Sequence, residues 1–248
     1  MNGVRAELLK ATTTRLLLWF ALGLLAFIVL VVSVHLGTTT PSDVETASDQ
    51  RSLFETAGLA AVLAALVGSI LITTEFVHGT INQTFLTVPQ RPRLLAAKLV
   101  AVAIVGGALA VLAVIATFVT AALWFLGRGI HFHLGDGAWL PLVGAIAAAV
   151  LTAGMGLGLG SILRRQTAST VLILLWLLIG ENVLATINGT GPYYPGFAAA
   201  GVVAARGHAT DQTLAFGPAL LMCLIYVAAL CAAGFAIVTR TDVPSSGD

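Results

Sequence analysis

Charge is scarce in this sequence. Only 9% of its 248 residues are Asp, Glu, Lys or Arg, where a soluble domain carries roughly 25%. So few charges exclude an ordinary soluble domain. Cysteine is nearly missing as well. The two present, Cys223 and Cys231, are separated by about 12 Å along a helix, too far for a mutual disulfide, and read as small apolar packing residues. No G-x-x-x-x-G-K-[ST] occurs, so the chain lacks the usual cradle for ATP phosphates. H-E-x-x-H and G-x-S-x-G are absent too, and no histidine falls mid-span. That removes the ordinary metal-assisted and nucleophilic routes of an intramembrane enzyme. His131 and His133 share one side of an extended "HFH", but no Cys or second cluster completes a metal set.

What is abundant is oil: 58% of residues are hydrophobic. Six apolar runs are long enough to cross a ~30 Å hydrocarbon layer, which takes roughly 20 helical residues. They lie near Leu16–Leu36, Leu53–Thr74, Leu95–Leu126, Trp139–Leu163, Ala168–Ile187 and Phe216–Val238. The third is the longest and is expected to tilt or project. None alternates as a barrel strand does. The first run exceeds the ~7–15 residues of a signal-peptide core and reads as an uncleaved anchor. The predicted fold is an all-α integral membrane protein with six transmembrane helices. Residues 1–248 form a single transmembrane domain: 1–15 a cytoplasmic surface helix, 16–238 the bundle, 239–248 a cytoplasmic tail.

Basic residues orient it. With the N-terminus inside, nine of the twelve Lys and Arg fall on the inner side, leaving Arg51, Arg128 and Arg206 outside. This is the positive-inside bias, and it predicts cytoplasmic termini in a cell inner (plasma) membrane. At the N-terminus, Val4, Leu8 and Ala11 recur at helical spacing, with Arg5 and Lys10 elsewhere on the wheel, so residues 2–15 read as an amphipathic helix on the inner surface.

In the fourth run, Gly154 with Gly158 and Gly156 with Gly160 form two interlocked small-xxx-small pairs, suited to close helix packing within one chain or between subunits. Arg164 and Arg165 then mark an inner turn so short that runs four and five form a hairpin. Glu181 lies inside the fifth run, where a charge costs at least ~2.5–3.5 kcal/mol. It faces protein or water, as a structural hydrogen bond or as a substrate or proton contact. Between runs five and six, Phe197 to Ala205 is almost entirely apolar yet too short to span. It reads as a re-entrant-like outer segment, with Tyr193 and Tyr194 at headgroup level.

The connection between runs two and three is the most informative. Two helices that merely turn around need roughly two to eight residues, but "EFVHGTINQTFLTVPQRPRLLAAKL", Glu75–Leu99, interposes a long polar stretch. Val77, Ile81, Phe85 and Val88 form one face of a short helix. Pro89 closes it, and Pro92 suits the start of the third span. Glu75 favours the helix's N-terminal dipole end. The polar face offers Asn82, Gln83, Thr84 and Thr87, all uncharged, where a helix on anionic lipid carries Lys and Arg. That face suits a protein groove.

"E-F-V-H-G-T" followed by "P-Q-R-P-R-L-L-A-A-K-L" resembles the segment between spans two and three of type-2 ABC transporter permeases. The matching positions are Glu75, His78, Gly79, Thr80, Pro89, Arg91, Arg93 and Lys98; Val77 departs, since a basic residue is frequent there. The six-span layout, the N-terminal surface helix, the acidic residue in span five and the "YYP" outer segment are also similar. The resemblance implies that the stretch with Asn82 and Gln83 is a cytoplasmic coupling helix seated on a separate ABC ATP-binding subunit. That partner would hold ATP and Mg, and this chain would carry no cofactor and catalyse nothing. It further implies a second permease copy, identical or not, and membrane lipid but no nucleic acid as partners. The cargo would be an exported hydrophobic or amphipathic small molecule, a drug, antibiotic or lipid. The alternatives are an ATP-independent secondary carrier using Glu181 and a non-transporting membrane sensor subunit. A carrier would favour internal repeats, and no second copy of the Glu75–Lys98 pattern follows span four.

Overall fold

The computed structural model describes residues 2–13, 15–40, 44–78, 91–133, 137–188, 190–207, 209–210 and 213–240. Six of its helices are long and apolar enough to cross a membrane: Arg15–Thr38, Ala47–Val77, Leu94–Arg128, Leu140–Leu163, Gln166–Ile187 and Phe216–Val238, here spans one to six. An amino-terminal helix, Asn2–Thr13, precedes them, and a short apolar helix, Pro195–Ala204, lies between spans five and six. No strand occurs among the described residues. The chain is an all-α, multi-pass membrane protein.

Span two begins six residues before the expected Leu53. Thr46 caps it: its hydroxyl accepts from Asp49 N at 3.3 Å, and the Asp49 carboxylate accepts from Thr46 N at 3.2 Å. This reciprocal capping box satisfies two otherwise orphaned donors, so a polar stretch extends the helix beyond its apolar run. A 3-10 stretch, Glu55–Leu59, joins this cap to the main helix. The third span belongs to a continuous helix from Arg91 to Arg128, roughly 57 Å long at 1.5 Å per residue, so it outreaches a ~30 Å hydrocarbon layer.

Span four is the hub, packed against spans two, three and six and the short helix. Its glycines explain how. A Cβ at Gly156 would fall under 3 Å from the Ala65 carbonyl of span two, and one at Gly160 would lie 2.7 Å from Ile72 Cγ2. On the opposite face, a Cβ at Gly158 would meet Leu230 C at 2.6 Å, and one at Gly154 would meet Val227 Cγ1 at 3.1 Å. Two residues along a helix turn the direction by about 200°. The two interlocked pairs therefore serve two different neighbours, spans two and six, inside one chain. Lipid tails are as apolar as leucine, so such van der Waals closeness carries the association. Hydroxyls add to it: Thr152 donates to Ala61 O at 2.8 Å, and Ser69 and Ser169 pair at 2.6 Å.

Spans one and five are peripheral. Leu175, Leu178, Ile179 and Val183 of span five are exposed, and a π-helical turn, Trp176–Gly180, interrupts that span just before Glu181. The amino-terminal helix packs against the start of span three, where a Cβ on Gly3 would rest 3.5 Å from Ala97 Cβ. Its covered face includes Val4, Leu8 and Ala11, and also Glu7.

Candidate functional site

Glu75 sits in the last turn of span two, and Lys98 lies two turns inside the helix that starts at Arg91. They bracket the connecting segment at its root. Of the residues singled out there, Gly79, Thr80, Asn82, Gln83 and Pro89 lie outside the described residues, as do the side chains of Arg91 and Arg93. The proposed short helix lies outside them too. His78 ends span two, and its Nδ1 hydrogen-bonds Thr74 O at 2.8 Å.

What the root contains is a ring of four alternating charges. Lys98, only 4% exposed, donates to Glu7 Oε2 at 2.7 Å and to Glu75 Oε1. Lys10 closes the ring, 3.3 Å from Glu75 Oε1 and 3.8 Å from Glu7 Oε1. A buried ammonium without partners costs several kcal/mol; here two carboxylates compensate Lys98, and the cluster is neutral. The ring ties the amino-terminal helix, the end of span two and the start of span three into one unit. Glu75 Oε2 is buried and has no hydrogen-bond partner among the described residues. A cavity of about 490 Å³ opens beside the ring.

Sequence reading found Glu75 and Lys98 through their motif, and missed Glu7 and Lys10 as members. The signal for Glu7 was present. It falls three residues after Val4 and four before Ala11, on the apolar stripe of its own helix, where a carboxylate needs a buried cation to face.

At the other end of the bundle a second constellation clasps the short helix. Glu181, 2% exposed, accepts from Gly196 N at 2.8 Å and Phe197 N at 3.1 Å at that helix's N-terminus. Arg51 donates to Ala204 O at 2.6 Å and Ala205 O at 2.9 Å at its C-terminus, and to Gly137 O at 2.8 Å. Each charge has the sign that the helix dipole favours at its end. Arg206 pairs with Glu55 at 3.0 Å nearby. Arg51 entered the sequence reading only as an outer charge; its capping role depends on long-range contacts that local sequence does not encode. Arg51→Ala is expected to cost about 1.5 kcal/mol, the loss of a charged donor. Roughly tenfold faster amide exchange across residues 198–204 is the measurement.

Glu7, Arg51, Glu75, Lys98 and Glu181 all fall within the stretch, residues 4–187, that matches the model of the family described as ABC-2 family transporter protein. No curated protein matches the chain.

Proposed function

Because the chain belongs to the ABC-2 family of transporter proteins, we propose that it is the permease half of an ATP-driven exporter, docked on a separate ATP-binding subunit through residues 78–93. The family supplies the class: a membrane-spanning transport subunit that partners an ATPase. The finer reading is supported by one observation above the rest. Glu75 and Lys98 join the two roots of the connecting segment, and Glu7 fastens the amino-terminal helix to the same point. A push on a segment held this way passes into spans two and three together rather than dissipating in a loose loop.

On this reading the protein sits in the plasma membrane, its basic end, with Arg5, Lys10, Arg15, Arg164 and Arg165, faces the cytoplasm, and both termini are cytoplasmic. A second permease copy completes the pathway, and the apolar outer faces of spans one and five offer it contact area. A hydrophobic or amphipathic cargo suits a bundle with so few charged residues. Glu181 supports a framework role rather than a proton relay, since both of its oxygens accept backbone N–H groups.

The test is crosslinking from photoreactive residues at Asn82 and Gln83, with mild-detergent purification. An ATP-binding polypeptide is expected in the crosslinked band and in the purified complex. Crosslinks to lipid or to this chain alone would overturn the docking assignment.

A further inference from the structure

We propose that the cleft walled by the amino-terminal helix, the start of span one and spans two and three at the charged end seats one bilayer phospholipid whose headgroup carries a primary ammonium. The inference depends only on the chain spanning a membrane, and so stands apart from the ATPase docking proposed above.

The cleft is the cavity of about 490 Å³ beside the ion ring, well within the ~300–1,000 Å³ of small-molecule sites. Its walls divide by chemistry. Leu16, Ile70, Leu71 and Leu157 line the apolar part, and Glu7, Lys10, Glu75 and Lys98 line the charged part. Ile70 to His78 spans about 12 Å of helix, so the charges sit at one end of an apolar track. That is the layout of an amphiphile with a polar head and a hydrocarbon tail. In a bilayer the amphiphile in supply is lipid, and Leu16 stands 44% exposed at the cleft's edge, where a tail enters sideways.

The ring decides the headgroup. Glu75 is 93% buried by residue, at 7% exposed, and its Oε2 has no donor among the described residues. An anionic oxygen in that position is served by a charged N–H group and opposed by a bare phosphate. The ring also has one exposed corner. Lys98 is 4% exposed and held at 2.7 Å to Glu7, whereas the Lys10 side chain is 52% exposed and contacts its carboxylates at 3.3 and 3.8 Å. A headgroup ammonium takes the place of Lys10 between Glu7 and Glu75 and reaches the second Glu75 oxygen, while Lys10 swings out to the lipid phosphate. Both signs of a zwitterionic headgroup are then matched. Choline has no N–H to give, and glycerol has no positive charge.

The experiment reconstitutes the purified chain in nanodiscs of equal phosphatidylethanolamine, phosphatidylcholine and phosphatidylglycerol, then counts retained lipids by native mass spectrometry as detergent strips the annulus. One phosphatidylethanolamine is expected to persist, about tenfold over either other lipid, which corresponds to ~1.4 kcal/mol. Leu16→Trp, at an exposed position, blocks the track without touching the ring and is expected to abolish the retained lipid. Glu75→Gln is expected to keep a lipid but lose the headgroup preference, and Leu178→Trp on span five is expected to change nothing. Equal retention of the three lipids, an excess of phosphatidylglycerol, or an undisturbed adduct in Leu16→Trp would each overturn the proposal.

Discussion

Gly156→Ala is expected to destabilise the bundle by about 3 kcal/mol or more, the upper end of overpacking costs. The reason is the identity of the atoms it meets. A Cβ there collides with the Ala65 carbonyl oxygen, and with Ala65 C at 2.7 Å. Backbone in the middle of a helix cannot step aside as a side-chain tip can, so spans two and four must separate along their whole contact. Their separation also strains the Thr152 hydrogen bond to Ala61 O, one turn away on the same face. The neighbouring control is Gly154→Ala. Its new methyl meets Val227 Cγ1 at 3.1 Å and Leu99 Cδ1 at 3.3 Å, both side-chain ends, and a cost below about 1 kcal/mol is expected. Heating in detergent with a thiol-reactive dye reads both variants, because Cys223 and Cys231 are buried and free and become reactive only as the bundle opens. Equal transition midpoints for the two variants would show that the close approach of spans two and four is not what holds the hub.

The same glycines show how far sequence carries. Their spacing announced close packing, and their partners, spans two and six, required three dimensions. The spans were legible because a bilayer demands long apolar runs with satisfied backbones, a constraint written residue by residue. The start of span two was not. A reading tuned to hydropathy stops at Leu53, although Thr46 and Asp49 stand in capping-box spacing upstream. The ion ring was half legible. Glu75 and Lys98 belong to a recognisable motif, but Glu7 and Lys10 belong to a helix that looked merely amphipathic, and only the fold carries it against Lys98. Arg51 illustrates the hardest case, a residue whose acceptors at Gly137, Ala204 and Ala205 lie far along the chain. For the connecting segment, the sequence supplies the periodicity of residues 77–88, and the structure supplies what fixes its two ends.

Removing the Glu181 carboxylate tests the opposite end of the molecule. Accounting for the first turn of the short helix shows what it does. Pro195 has no N–H to satisfy, and its fixed φ suits the first helical position. Tyr194 N donates to Gly191 O at 3.0 Å, and Ala198 N donates to Tyr194 O at 2.8 Å. That leaves Gly196 N and Phe197 N, and Glu181 accepts from both. No orphan donor remains at this terminus, a condition that matters most where little water is available. Gly196 has its own reason: a Cβ there would collide with the Glu181 carboxylate itself. Glu181→Ala strands two partly buried donors and removes a charge from the favourable dipole end, an expected loss of about 3 kcal/mol. Glu181→Gln keeps one acceptor oxygen but turns an amide N–H₂ toward a backbone N–H, so roughly half that loss is expected. Thiol labelling of Cys223 and Cys231 on heating gives the midpoints, and amide exchange at Gly196 and Phe197 localises the change. A relay role for the carboxylate predicts another pattern: both variants fold as firmly as the parent while activity disappears. If Glu181→Ala leaves the midpoint and the exchange of those two amides untouched, the short helix is held by packing on span four alone.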